Sequence, residues 1–324
     1  MQKKHQFFEL LCQMSRHLHI FSVPSSPERI NDPEKVSTLI SGLLTADRPA
    51  MVARLGSGEL EVVTSYLGQQ HNRGLKHLPA VLTGKAPRWW WTDKQVQALN
   101  VNAGFFNISE EGMARFSRLM MTDMKEVDIL GSWLPEENWF DNYLTHATKV
   151  RLRYLEPFWA KRPWTVSLKG KRVVVVHPFA ETIERQYERR EELFDNPDTL
   201  PAFASLRTVK AVQSIGNEAN GFDSWFDALH WMEKEMDKEP YDVALIGCGA
   251  YGFPLAAYAK RTGHKAVHLG GALQLLFGIK GKRWFSPDGD VYADYHHLLR
   301  PSWVEPAEAD KPKQADKVEG GCYW

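Results

Sequence analysis

The sequence predicts an α/β protein, a mostly parallel β-sheet flanked by helices. Three stretches predict it, each a short apolar run, a tight turn and then helical spacing. Ala50 to Ala53 is followed by Gly56-Ser57-Gly58 and then by Leu60, Val63 and Leu67. Val173 to Val176 is a β-branched run stopped by His177-Pro178, with a helix expected from about Thr182 to Phe194. Asp242 to Ile246 is followed by Gly247-Cys248-Gly249-Ala250-Tyr251-Gly252 and by a helix that carries Pro254 in its first turn. Short apolar runs of this kind fit strands buried on both faces, as in a parallel sheet.

Composition limits the function classes. A length of 324 residues allows one large domain or two smaller ones. Lys plus Arg and Asp plus Glu balance at 40 each, which argues against a nucleic-acid or membrane binder driven by bulk charge and leaves local basic patches open. Cys12, Cys248 and Cys322 have no metal-ligand spacing and make no disulfide framework, so a reducing cytoplasm is expected. The opening MQKKHQFFELLCQM lacks the features of a signal peptide. No stretch approaches the roughly 20 apolar residues of a spanning helix, so any membrane contact is expected to be peripheral.

In chain order, residues 1–47 read as an N-terminal helical segment, 48–300 as the main domain, and 301–324 as a polar linker with an aromatic tail. The first segment holds a helix carrying Phe7, Phe8, Leu10 and Leu11, a break at Pro24-Ser25-Ser26-Pro27, and a helix from Val36 to Leu44. Arg54 then falls at the carboxyl end of a strand, with Ser57 and Glu59 at the start of the next helix. Ligands of open α/β sheets bind outside the carboxyl ends of the strands. Arg54 suits a phosphate, and Glu59 suits a general base, a metal ligand or a helix-dipole partner. The bland alternative is an Arg54–Glu59 ion pair that holds the turn.

Arg88-Trp89-Trp90-Trp91 reads as a loop wedged on the core. Ser109 starts a helix through Met124. A strand from Val127 to Leu130 leads to Gly131-Ser132-Trp133, a further strand end lining the cleft. Glu137 to His146 reads as helical, and Arg151 to Phe158 leads to a linker around Pro163. His177, at a strand end, is either a ligand contact and general base or a structural histidine. A strand from Leu206 to Val212 and a helix from Ser224 to Met236 follow.

The Gly247–Gly252 turn has the G-x-G-x-x-G spacing of a dinucleotide fingerprint. The next strand, Lys265 to Leu269, lacks a terminal acid for a ribose hydroxyl, so a phosphate or nucleotide contact is expected and NAD is not. Gly270-Gly271 opens another helix. Lys280, Lys282 and Arg283 surround Gly281 and suit a diphosphate clamp, or form an exposed basic turn.

R-L-G-S-G-E at Arg54 to Glu59 resembles the R-x-G-D-G-E element of bacterial glycosyltransferases of the GT-D fold type. GCGAYG, HLGGALQLLFG and IKGKRW, between Asp242 and Trp284, resemble the C-terminal block of uncharacterised GT-D-like proteins associated with surface polysaccharide. The resemblance implies a Rossmann-like domain that moves a sugar from a nucleotide-sugar donor to a glycan or lipid-linked glycan acceptor, in the cytoplasm or at the inner face of the membrane. It implies donor contacts at Arg54, Gly56, Ser57, Gly58, Gly247, Gly249, Ala250, Tyr251, Gly252, Gly270, Gly271, Gln274, Lys280, Lys282 and Arg283, with Glu59 or His177 as base. It also implies Mg2+ or Mn2+ at a D-x-E element. Ser57 replaces the Asp here, and a neutral hydroxyl is a poor ligand for a hard cation. Glu59 alone with donor phosphates, or cations in place of the metal, remain the alternatives. A non-catalytic nucleotide- or glycan-binding module of a polysaccharide-assembly complex is the other functional class.

Overall fold

The computed structural model describes residues 3–22, 25–214, 220–287, 289, 291–311 and 321–324, with the backbone alone for 3–5. Seven strands form one sheet: β1 (Ala50–Arg54), β2 (Ile129–Ser132), β3 (Thr148–Arg151), β4 (Arg172–His177), β5 (Ser205–Lys210), β6 (Val243–Ile246) and β7 (Lys265–His268). Every pairing is parallel, in the order β3-β2-β1-β7-β6-β4-β5. The α-helices among the described residues are α1 (Lys3–His17), α2 (Pro33–Thr45), α3 (Ser57–His71), α4 (Leu78–Leu82), α5 (Asp93–Gln97), α6 (Glu110–Asp123), α7 (Ala180–Glu188), α8 (Trp225–Met236), α9 (Gly252–Arg261), α10 (Leu273–Leu276), α11 (Lys282–Phe285) and α12 (Tyr292–Tyr295). The α/β, Rossmann-like fold is therefore present.

Strand alternation builds two cores. Met51, Ala53, Val174, Val176, Ala244, Ile246 and Ala266 face α3, α6, α8 and α9. Val52, Val173, Val175, Val243, Leu245 and Val267 face α2, α7 and α10. The four adjacent strands β1, β7, β6 and β4 thus hand the chain to helices on alternate faces: α3, α10, α9 and α7. Connections that leave in opposite directions open a crevice above the carboxyl ends of those strands. Val52↔Val267, Ile246↔His268 and Val176↔Ile246 set the register that brings the strand ends to one level.

Several local expectations need correction. β2 starts at Ile129, after a bend at Asp128, whose carboxylate accepts the Met51 N–H at 2.8 Å and pairs with Arg48 and Lys260. The expected helix at Glu137–His146 is a 3₁₀ turn, Pro135–Phe140, followed by the strand β3, which runs along the sheet edge with Val150 alone buried. Pro163 is no linker, since Trp164 beside it is fully buried and donates to the Leu155 carbonyl. The helix expected to reach Phe194 ends at Glu188 and tightens into a 3₁₀ turn at Arg190–Glu192. Trp89 and Trp90 pack with Phe8 and Cys12 of α1 in a satellite core, as a wedged loop should. α2 contributes Val36, Ile40 and Leu44 to the sheet core itself. Pro24 of the expected break and 312–318 of the expected polar linker lie outside the described residues.

Candidate functional site

A cavity of about 380 Å³ lies over the carboxyl ends of β1, β4, β6 and β7, within the size range of ligand pockets. Arg54, Gly56, Ser57, Gly58, Glu59, His177, Gly247, Gly249, Tyr251, Gly270, Gly271, Gln274 and Arg283 all line it. Residues more than 200 positions apart in sequence thus meet at one site because their strands are neighbours.

Arg54 leaves the end of β1 half-buried. Its Nη2 donates to the Leu55 carbonyl at 3.2 Å, and the guanidinium lies 5.4 Å from the Trp133 ring centroid. Trp133 Nε1 donates to the same carbonyl at 3.0 Å, so one backbone oxygen positions both side chains. Buried Glu137 holds the Trp133 turn by accepting the Trp133 and Leu134 N–H groups, each at 3.0 Å. On its other side Arg54 presses on Gly270, where a Cβ would stand 3.1 Å from Nη1. Among the described residues Arg54 has no ion pair, so the expected Arg54–Glu59 pair does not form. The third strand end does line the cleft, through Trp133.

Gly56 is the N-cap of α3 and offers no side-chain cap, so the first-turn N–H groups are not answered by one. The Glu59 carboxylate folds back over this end: a Cβ on Gly56 would stand 2.6 Å from its Oε1. That is the position of a helix-dipole partner, at the cavity wall. Ser57 is exposed beside it.

Two histidines form the floor, and both are held neutral. His177 Nδ1 accepts the Phe179 N–H at 3.0 Å, which leaves the proton on Nε2. Burial pushes its pKa down to about 3. With Nδ1 engaged and Nε2 carrying the proton, His177 presents a donor to the cavity, which suits the ligand contact of its two expected roles better than the general base. His268, at the end of β7, has the opposite tautomer. Its Nδ1 donates to the Ile246 carbonyl at 3.1 Å, leaving Nε2 as acceptor, while burial and then nearby Arg54 hold its pKa down at about 3.

The glycine turn divides its work. Gly249 has φ +57°, and a Cβ there would stand 2.9 Å from the Ala103 carbonyl. That same carbonyl accepts the Ala250 N–H at 3.0 Å. Ala250 is therefore spent on anchoring the turn and does not line the cavity. Gly252 is absent from the wall for another reason: a side chain there would collide with the His268 ring. The last fingerprint glycine serves helix–sheet packing. Tyr251 does reach the cavity, with its ring stacked on Trp225 and its hydroxyl 3.1 Å from Ser214 Oγ.

The basic loop is only partly a clamp. Lys280 pairs with Glu305 at 3.5 Å and Lys282 is exposed away from the cavity; Arg283 alone lines it. Gln274 is a tie, donating to the carbonyls of Lys280 at 2.7 Å and Tyr323 at 3.2 Å. It thereby connects the loop to residues 321–324, which pack against the domain. The Cys322 carbonyl accepts the Arg283 N–H at 2.8 Å, Arg283 lies 4.9 Å from the Tyr323 ring centroid, and Trp324 is buried in the core. Tyr323 and Trp324 both line the cavity. Sequence reasoning assigned no site role to His268, Tyr323, Trp324 or Lys94. His268 carried one usable signal, its place at a strand end.

The charged lining is Arg54, Lys94 and Arg283 against Glu59 and Glu61, an excess of one cation. Among the described residues no group of three His, Cys, Asp or Glu side chains could hold a metal. The lining carboxylates are Glu59 and Glu61, too few for an all-protein metal cage but a donor set that Mg2+ or Mn2+ could share with substrate phosphates. The cavity sets each arginine beside an aromatic ring, Arg54 against Trp133 and Arg283 against Tyr323, a lining suited to an anion that carries a flat or ring-shaped group. No protein-family model, curated protein or solved structure matches the chain.

Proposed function

We propose that the chain is a glycosyltransferase, moving a sugar from a nucleotide-sugar donor to a glycan or lipid-linked glycan acceptor in cell-surface polysaccharide synthesis. The observation that carries this reading is Arg54, half-buried at a strand end with no ion pair among the described residues and set between two glycine turns. A cation so placed is completed by a phosphate. In this reading Arg54 and Arg283 take up the charge of the leaving diphosphate. Trp133 or Tyr323 stacks on the base or the sugar. The acceptor hydroxyl oxygen bonds to the anomeric carbon, and the bond from that carbon to the diphosphate oxygen breaks. Glu59 takes the hydroxyl proton, as the carboxylate nearest the turn.

Ser57 in place of an Asp favours a second reading: a module that binds a nucleotide sugar without turning it over. Thermal unfolding in the presence of UDP-, GDP-, CMP- and dTDP-sugars, with and without Mn2+, separates these readings from others, because a ligand of the native state raises stability by mass action. One donor class is expected to raise Tm. A shift with none of them on folded protein sinks both readings. Glu59→Gln is then expected to keep the shift and lose transfer; full transfer by this variant removes Glu59 from the chemistry.

A further inference from the structure

α1 has two apolar faces and one of them is unpartnered. Phe8, Cys12 and Ser15 turn inward: Phe8 and Cys12 pack with Trp89 and Trp90, and Ser15 donates to the Leu82 carbonyl of α4. Phe7, Leu10, Met14 and Leu18 recur at spacings of three, four and four on the outer side, with Ile20 just beyond. These five are 50–61% exposed, and they account for five of the nine large apolar side chains exposed among the described residues. Such clustering goes beyond the scattered exposure that every surface shows.

The sequence of this segment is basic. The segment from residue 3 to residue 22 contains Lys3, Lys4 and Arg16 and a single acid. That acid, Glu9, is turned away: it pairs with Arg88 at 3.1 Å and accepts from Trp90 Nε1. The turn that leads into α4, the helix against which α1 packs, adds Leu75 at 68% exposure between exposed Arg73 and Lys76. A stripe of leucine, phenylalanine and methionine, in a segment whose sequence is basic and whose one acid is turned away, is the make-up of a helix lying in a membrane interface.

We infer that the outer face of α1 docks the chain on an anionic lipid surface. The contact is peripheral, because among the described residues no helix is long and apolar enough to cross a membrane. Docking places the candidate site close to the bilayer. Cys12 and Arg16 of α1 line a second cavity of about 160 Å³ together with Glu61, and Glu61 also lines the main cavity. The docking itself does not depend on the transferase reading; delivery of a lipid-linked acceptor along this path does.

The test is co-sedimentation of the full chain with vesicles of phosphatidylcholine alone or mixed with phosphatidylglycerol. Binding is expected only with the anionic vesicles, and it should weaken as salt is raised. Replacing Phe7, Leu10 and Met14 together with serine is expected to lower partitioning by roughly tenfold or more, with Tm unchanged. Should that variant fold poorly, Lys3→Glu with Lys4→Glu supplies the second measurement, expected to lower binding roughly tenfold. Equal binding to both vesicle types, or wild-type partitioning by a folded serine variant, overturns the proposal. A wild-type dimer by light scattering that becomes monomeric in the serine variant also overturns it and assigns the face to a second copy of the chain. Each outcome is independent of whether a nucleotide sugar binds.

Discussion

Replacing Arg54 with methionine should separate the stability of this protein from its ligand affinity. Among the described residues the guanidinium makes one hydrogen bond, to the Leu55 carbonyl, and one cation–π contact, with Trp133. Together these are worth about 1–2 kcal/mol. Against them stands the cost of keeping an unpaired charge half out of water, which is of similar size. Methionine keeps an apolar stem against Trp133 and Gly270 and drops the charge. The net change in folding stability should therefore stay within about 1 kcal/mol, a Tm shift of no more than about 3 °C. Ligand binding has no such cancellation. A charge-assisted hydrogen bond to phosphate is worth about 1.5–3 kcal/mol, so affinity for a nucleoside diphosphate or pyrophosphate should fall roughly 10- to 150-fold. Calorimetric titration with these ligands measures the second number and thermal unfolding the first. A third readout comes from His268, whose pKa is held down first by burial and second by Arg54; imidazole resonances should show it rising in the variant. Loss of about 3 kcal/mol of stability with unchanged affinity would refute the reasoning and make Arg54 a structural residue.

The remaining predictions use other parts of the site. Arg283→Ala should weaken diphosphate binding, whereas Lys282→Ala should leave it within about twofold, since Lys282 does not line the cavity; titration of both variants checks this, and equal losses would restore the three-cation clamp. Gly271→Ala should drive Tyr323 off the cavity wall, because the new Cβ would stand 3.0 Å from Cζ and closer still to the ring edge, where ordinary contact needs 3.4–4 Å. Hydrogen exchange should then quicken at the Arg283 and Trp324 amides, which donate to Cys322 and Gly321. The neutral histidines set a pH dependence: with folded pKa values of about 3 against about 6.5 when unfolded, the unfolded state binds more protons between these limits, so their contribution to stability is full above pH 6.5 and is lost as pH falls towards 3. Asp123, raised to about 7 by burial in spite of Arg261, has the opposite slope and loses its contribution as pH rises from about 4 to 7. Comparing Tm from pH 7 to 4 isolates one member: His177→Asn should flatten the acid limb, and an unchanged slope would mean that His177 already titrates normally.

How much of this was legible beforehand depended on whether a residue's role was local. The strands β1, β4, β6 and β7 were readable because burial on both faces demands an unbroken apolar run, and the turns after them because glycine, proline and helix caps act within a few residues. The short strand β3 was not readable, since an edge strand of four residues with one buried valine has no periodicity to detect. The three-tryptophan loop was readable as packing, because an aromatic run with charged flanks has more to gain from burial than from exposure.

The sequence by itself determined the fold class, the strand ends that face the ligand, and the identities of Arg54, Glu59 and the two glycine turns. Tertiary structure alone decided which of them share a cavity, because neighbourhood depends on strand order, and β1 meets β7 across more than two hundred residues of chain. It also decided protonation. His177 and His268 are the same side chain at equivalent strand ends, yet each exposes a different ring nitrogen to its surroundings, because one accepts from a backbone N–H and the other donates to a carbonyl. Likewise Lys280, Lys282 and Arg283 are alike in sequence and differ in space: Lys282 and Arg283 open the short helix Lys282–Phe285, which aims consecutive side chains in different directions, and of the three only Arg283 lines the cavity, beside the backbone of Cys322 and the ring of Tyr323.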